Sequence, residues 1–541
     1  MKLVTPDEMR AIELEADQAG YSYTNMMEQA GIGVAQVIRR VISDPENRTA
    51  VALVGVGNNG GDALVALADL AGSGWSVSAW LIKPRDGDPW VERVKRAGGK
   101  IITFADDPYF YTLDVWLEQC NVVVDGVLGT GVKLPLKSDI SALLSHVQKV
   151  LAKTSVEIFA VDCPSGVDCL TGEAAPECIP ADITICMEAV KVGLLRLPAF
   201  SLCGEIEVVR LGLPAGLVSY DQVLLEMIDP AWVADRLPAR PLNAHKGTFG
   251  TAIICAGSVN YSGAALLAGA GAYRIGTGLV EMAVPAPLHV ALVGQLPEAV
   301  WQLLPHDQGV ISSAAARVLQ QRFVNADAVL LGPGWGQEKT TMECLRTLLE
   351  PVRSNPKARP IGFLQPELSA VSNGKPGGWP KLVVDADALR LLARIPGWWD
   401  LLPEETVLTP HPGEMAALTG MSIEAVQQDR IAIARLFAGQ WRKVVVLKGA
   451  HTVIAEPGGR GLVIPVASPA LARAGTGDVL AGMITGLLAQ GMSGFEAAGV
   501  GAWVHAKAGQ MAVKTVGHAA AVLARDVIGE VGNVISLLKK N

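Results

Sequence analysis

The chain has 541 residues, half of them hydrophobic and 18% charged, with a formal net charge of −8. That length exceeds what a single core supports and implies two or three domains. With no Lys/Arg-rich run, nucleic-acid binding and anionic-membrane binding lack compositional support.

The N-terminal segment MKLVTPDEMRAIELEADQAG has no long apolar stretch after its first lysine, so a secretory signal is not expected. Its pattern predicts a helix over Glu8–Ala19. A strand over Ala50–Val56 then ends in VGNNGGD and leads into a helix over Gly61–Ala71. Gly55, Gly57 and Gly60 fit the G-x-G-x-x-G dinucleotide loop, in the strand–turn–helix context that loop requires. Such glycines let the backbone approach a phosphate, and the helix N-terminus favours the anion. A dehydrogenase would carry an acid about 20 residues on to hold a ribose. Here the next strand, Ser76–Ile82, leads to Lys83, the wrong sign for that task.

Strands predicted over Asn121–Asp125 and Ile158–Asp162 end in the same way, with an aspartate followed by Gly129-Thr130-Gly131 in one case and Pro164-Ser165-Gly166 in the other. Parallel strands deliver their carboxyl ends to one crevice, so Asn58, Asn59, Asp62, Asp125, Asp162 and Ser165 are expected to meet. Mixed oxygen donors suit a hard cation, and the absence of His and Cys among them argues against zinc. Any one aspartate alone would read as a helix cap or turn former. The eight cysteines lack metal spacing and read as buried or free thiols of a reducing cytoplasm.

Residues 213–240 hold several prolines, fit no strand–helix alternation and mark a domain boundary, placed between 222 and 223. Beyond it, the uncharged run Gly247–Tyr273 is long enough to span a membrane. Its serines, asparagine and glycines instead read as strand, turn and helix, giving Thr251–Cys255 and Ala264–Arg274. Further strands are predicted over Leu279–Val284, Ala328–Leu331, Lys381–Asp385 and Lys443–Leu447, and a Gly/Pro-rich surface loop over Gly362–Pro380. The alternation predicts an α/β protein of two domains with parallel sheets covered by helices. In RAGTGDVLAG, Gly475, Thr476 and Gly477 turn sharply into a helix whose free N–H groups face an anion. Asp478 stands where a base reaches a hydroxyl near a transferred phosphate, or else caps the helix.

The segments LVTPDEMRAIE, GVGNNGGDALVA, VVVDGVLGTGV, AVDCPSGVDCLTG and EAVKVGLLRLPAF resemble the NAD(P)H-hydrate epimerase domain family, across residues 3 to about 213. HKGTFGTAIICAGS, LLGPGWG, LVVDADAL, VLTPHPGEMAALTG, VVVLKGAHTVIA and the GTGD loop resemble the ADP- or ATP-dependent NAD(P)H-hydrate dehydratases of the ribokinase-like superfamily, across 245–510. The resemblance implies a Rossmann-like domain over 1–222 and a ribokinase-like domain over 223–541. It implies an enzyme that interconverts the R and S hydrates of NADH or NADPH and dehydrates the S form at the expense of ADP, cleaved to AMP and phosphate. ADP is chosen over ATP because the fused bacterial members use it.

By motif, Asn58, Asn59, Gly60, Gly61 and Asp62, with Gly129, Thr130, Gly131, Val132, Lys133, Leu134 and Pro135, would hold the hydrated dinucleotide. Asn59, Asp125 and Ser165 would ligate potassium, and Asp162 would contact substrate and move the proton. In the second half Ala264, Gly334, His411 and Asp478 would meet the hydrate. Lys448, Gly449, Ala450, His451, Thr452, Gly475, Thr476 and Gly477 would hold ADP, with magnesium on its phosphates and Asp478 as catalytic base. Two departures stand out: Ala63 and Ala474 occupy positions where the families usually carry glycine. His411, between two prolines, equally reads as a rigid-loop residue. The resemblance further implies a cytoplasmic homo-oligomer binding small molecules, with no membrane or nucleic-acid partner. A small-molecule kinase with a regulatory N-terminal domain, or a non-catalytic N-terminal binding module, are the competing readings.

Overall fold

The computed structural model describes residues 1–44, 46, 48–350 and 378–538. They form two compact units, Met1–Met227 and the chain from Ile228 onward. Apart from its last three residues, the predicted Gly362–Pro380 loop lies outside the described residues.

In the first unit, helix α1 (Pro6–Gln18) starts at a reciprocal cap. The Thr5 hydroxyl accepts from the Glu8 N–H at 3.2 Å, and the Glu8 carboxylate accepts from the Thr5 N–H at 2.7 Å. A cap of this kind stabilises a helix by about 1 kcal/mol. Helix α2 (Tyr23–Val41) follows, capped by Ser22. The sheet then uses β1 (Thr49–Val54), β2 (Ser76–Leu81), β3 (Lys100–Thr103), β4 (Val122–Gly126), β5 (Glu157–Val161), β6 (Ile183–Met187) and β7 (Glu205–Val209). Their order is β3-β2-β1-β4-β5-β6-β7, parallel throughout.

Side chains alternate along β1. Ala50, Ala52 and Val54 face the core under α1, α2 and α3 (Asn58–Gly72), while Val51 and Leu53 face a second core with Trp80 and α4 (Ser138–Leu151). The strand order reverses at β1, so a crevice opens beyond the carboxyl ends of β1 and β4.

The second unit builds its sheet from β8 (Thr251–Cys255), β9 (Leu279–Pro285), β10 (Val300–Leu304), β11 (Ala328–Leu331), β12 (Lys381–Val384), β13 (Val407–Leu408), β14 (Val444–Leu447), β15 (Val453–Ala455) and β16 (Gly461–Val463). The order is β16-β15-β14-β13-β12-β11-β8-β9-β10. Strands from β14 to β10 run parallel; β15 and β16 add an antiparallel hairpin. Helices α5 (Ser262–Arg274), α7 (Thr476–Ala489), α8 (Gly494–Val516) and α9 (Ala524–Leu538) close one large core. A short helix, α6 (Pro412–Thr419), follows β13. The uncharged 247–273 run is β8, a turn and α5, and among the described residues no helix is long and apolar enough to cross a membrane.

Every strand predicted from the sequence is present. Those that escaped prediction are mostly edges or very short: β3, β7 and β10 are sheet edges, with Lys100 breaking the apolar run of β3 and Glu205 and Glu207 that of β7, and β13 has two residues. Residues 213–240 hold helical turns at Val218–Asp221 and Pro230–Ala234 flanking a three-residue strand, which fits the failure of any longer pattern there.

Candidate active site

In the first unit three strand ends meet as expected. Asp125, last but one in β4, is 1% exposed, and Ser165 is fully buried. The Ser165 N–H donates to one Asp125 oxygen at 2.8 Å, and its hydroxyl donates to the other. The Leu128 N–H donates to the Ser165 Oγ at 2.9 Å. The Asn59 amide reaches the Leu128 carbonyl at 3.3 Å and the Val161 carbonyl. Burial raises the pKa of Asp125, partly offset by the bonds from Ser165 and Val127. Among the described residues no cation pairs with it, so a buried oxygen-rich nest retains one uncompensated carboxylate. Close packing makes two glycines necessary. A Cβ on Gly60 would lie 2.2 Å from the Gly55 carbonyl, and one on Gly129 2.3 Å from the Asn59 Oδ1.

Helix α3 begins at Asn58 after Gly57, with no side-chain cap, so its first N–H groups remain available to an anion. Arg85 donates to the carbonyls of Gly55 (2.7 Å) and Gly57 (3.2 Å) and pairs with Asp88, bracing this loop. Ala63 is wholly buried against Gly126 beneath the helix, so it does not crowd the crevice. Beside the loop lies a cavity of about 240 Å³ lined by Asn58, Asp62, Glu13, Tyr23, Trp90 and Met187, among others. Gly129 sits against Asn59, and residues 129–135 do not line this cavity.

Asp162 follows β5 with a φ of +65°, a left-handed conformation rare for a non-glycine residue. Its carboxylate accepts from the Met187 N–H at 3.0 Å and from the ammonium of Lys191, which is itself 1% exposed. Burial is the largest single influence on the Lys191 pKa and lowers it, but Asp162 together with Cys186 and Cys169 turns the net shift upward. Lys191 was not predicted as a site residue, although one lysine within ITICMEAVKVGLL is a signal for a buried ion pair.

In the second unit the GTGD loop turns at Gly475 into α7, and Asp478 lies in its first turn. Desolvation first, then the neighbouring Asp385, raises the Asp478 pKa to about 7, against the pull of Lys448. The Lys448 ammonium donates to Asp385 at 2.6 Å and lies 3.9 Å from Glu414. Gly477 comes close to it, since a Cβ there would be 3.5 Å from the Lys448 Nζ. Asp385 and Glu414 were not predicted as site residues; each sits in a motif given above, and Asp385 follows β12 directly while Asp125 is the last residue but one of β4.

His411 is both a helix cap and a residue lining the cavity of the second unit. Its Nδ1 accepts from the N–H groups of Gly413 (3.0 Å) and Glu414 (3.3 Å) and caps α6, while its ring also borders the cavity. Burial, then Lys448 and Arg390, lower its pKa to about 4, so the ring is neutral with its proton on Nε2. That cavity, about 660 Å³, is lined by Lys448, Gly449, Ala450, Thr452, Thr476 and Gly477 with an apolar wall including Ile464, Val466 and Leu471. His451 is buried away from it, and Gly475 stands behind Thr476. Ala264 and Gly334 touch each other outside its wall, a Cβ on Gly334 falling 2.9 Å from the Ala264 Cβ. Ala474 is exposed and crowds nothing. His505 is an unpredicted lining residue, buried, with no hydrogen-bond partner for its Nε2 among the described residues.

Comparison with known proteins agrees with both halves. The family model described as NAD(P)H-hydrate dehydratase matches residues 252–531, and the YjeF-related protein N-terminus model matches 23–193. The bifunctional NAD(P)H-hydrate repair enzyme Nnr of Moorella thermoacetica is 34% identical over 536 residues, 98% of this chain and 95% of that one. The chain belongs to this repair-enzyme family. The Escherichia coli repair enzyme is 31% identical over 98% of this chain and 93% of its own. A solved Bacillus subtilis ADP/ATP-dependent NAD(P)H-hydrate dehydratase, co-crystallised with ATP and Mg²⁺, is 29% identical, covering 58% of this chain and 98% of its own with a TM-score of 0.45. As a repair enzyme, the chain joins an epimerase domain to a dehydratase domain.

Proposed function

We propose that the crevice of the first unit, taken as the domain over residues 1–222, equilibrates the R and S hydrates at nicotinamide C6. The domain over 223–541 then dehydrates the S hydrate while cleaving ADP to AMP and phosphate. The observation that carries this reading is the pair of carboxylate-bearing crevices, each beside an uncapped helix N-terminus, in a chain that aligns end to end with repair enzymes.

In the first crevice, Asn58–Asp62 and Gly129–Pro135 hold the dinucleotide, with its phosphates toward the start of α3. The oxygen nest of Asn59, Asp125 and Ser165 suits potassium, because Asp125 has no cationic partner among the described residues and the other donors are neutral. Potassium would supply a fixed positive charge near the dinucleotide. Asp162, bonded to Lys191 and the Met187 N–H, is the group that accepts a proton as the C6–O bond is remade.

In the second, Ala264, Gly334 and His411 meet the hydrated ring. Lys448–Thr452 and Gly475–Gly477 hold the nucleotide, with the Lys448 ammonium and the α7 N–H groups on its phosphates. Asp478 takes the proton of the substrate hydroxyl as oxygen attacks the phosphoryl group. Phosphate then departs from C6, where hydroxide would leave poorly, and the C5 proton is lost to solvent as the C5=C6 bond forms. Among the described residues no cluster of three or more His, Cys, Asp or Glu side chains is arranged for a metal, which favours magnesium arriving on the nucleotide and neutralising its phosphates there. A cytoplasmic homo-oligomer completes the proposal.

The test is incubation with mixed R and S hydrates and ADP or ATP, following the reduced-nicotinamide absorbance band. Complete recovery is expected, and only with nucleotide present. Recovery of the S fraction alone would remove the epimerase half of the reading.

A further inference from the structure

The 240 Å³ cavity contains more acid than its assigned roles use. Glu13 reaches it from α1, Asp62 from α3, and Asp162 stands behind it through Met187. Asp162 is taken up by Lys191. Asp62 is 94% buried by its 6% exposure, lines the cavity, and makes no hydrogen bond or ion pair to another described residue; Glu13, only partly buried, also lines the cavity and makes none. Three carboxyl groups therefore share one buried ammonium. Burial cannot support two surplus negative charges, so the groups without partners hold protons.

The surroundings of Glu13 agree from every side. Arg10 lies on its own helix, Tyr23 faces it from α2, Asp62 from α3, and Asp162 with Lys191 from the sheet. Burial raises the Glu13 pKa most, and Asp162 adds to the rise against Lys191 and Arg10. Asp62 is raised further still, by burial and then by Asp162 and Glu13. Asp62 is sealed in, whereas Glu13 is only partly covered, so its proton can be replaced from water.

We propose that Glu13 is a second catalytic residue of the epimerase crevice, the acid that works opposite Asp162. This rests on the epimerase reading above. The C6–O bond breaks as Glu13 gives its proton to the departing hydroxyl, which leaves as water, while the ring N1 lone pair forms the N1=C6 bond. Water then adds to the other face of C6, the N1=C6 pair returns to N1, and the surplus proton passes to Asp162. Glu13 loses one proton and Asp162 gains one; solvent restores both. In the opposite direction the two residues exchange roles.

The test uses the full chain, mixed hydrates and excess ADP, so that S consumption is a fast phase and R consumption a slow one. In Glu13→Gln the slow phase should fall at least about 100-fold toward the spontaneous rate, with the fast phase intact and the thermal unfolding of the first unit unchanged as proof of its folding. Glu13→Asp should recover part of it. The wild-type slow phase should decline at high pH as the acid is lost, and the residual Glu13→Gln rate should not. An unchanged slow phase in Glu13→Gln, with the wild type clearly faster than spontaneous, overturns the proposal. A wild type no faster than spontaneous overturns the epimerase reading itself and the proposal with it.

Discussion

Lys191 gives its ammonium to Asp162 inside the first unit, where both side chains are almost wholly withdrawn from water. Lys191 lies on a two-residue strand, Val190–Lys191, that pairs with Leu3–Val4, and its remaining protons go to the carbonyls of Met187 (3.3 Å) and Ala189 (3.1 Å). The extreme N-terminus thereby fixes a cation beneath the crevice. Replacing Lys191 with Met strands a buried carboxylate and should cost about 3–5 kcal/mol. Adding Asp162→Asn to that variant should restore part of the loss, as read from denaturant unfolding; strictly additive losses would contradict the pairing.

Ser165→Ala removes the hydroxyl that joins Asp125 to Leu128. Epimerisation in this variant should need about 10-fold more potassium chloride for half-maximal rate, while S-hydrate dehydration keeps its wild-type rate. An unshifted salt dependence would exclude Ser165 from the ion's ligands.

Asp478 acts as a base only when ionised. With its pKa near 7, raised by burial and by Asp385, the dehydration rate should climb between pH 6 and 8 and then level off. Asp478→Asn should lower the rate by about 10²–10⁴-fold and abolish that rise. Nucleotide binding, measured calorimetrically, should survive the substitution.

His411, His451 and His505 all have pKa values lowered to about 4, chiefly by burial. Below the ordinary histidine value of 6.5 the unfolded chain takes up protons that the folded chain refuses, so folding stability falls as pH drops from 6.5 toward 4. Above 6.5 these groups contribute no slope. Thermal unfolding across pH 4.5–7.5 should show this, with a shallower acid slope in His505→Phe; a slope identical to wild type would mean that His505 is protonated when folded.

Much of this was legible along the chain, and the reason is local. β-Branched runs ending in Asp125, Asp162 and the NNGGD loop declare strand ends, and parallel strands bring such ends to one edge. The GTGD turn declares a helix start in the same way. Edge strands such as β3 and β7 were illegible because exposed charges erase the apolar run on which the period is read. The place of Ala63, where the family usually carries glycine, was not legible either, because only the packing of α3 on Gly126 shows which way its methyl points.

What the sequence determined by itself was the order of elements, the two halves and the residues at each strand end, since these depend on neighbours within a few positions. Only tertiary structure decided that Lys191 neutralises Asp162, that Lys448 answers Asp385 and that Glu13 shares a cavity with Asp62. Those partners lie 29, 63 and 49 positions apart in the chain. Their charges depend on burial, and burial is a property of the packed molecule that no short stretch of residues contains.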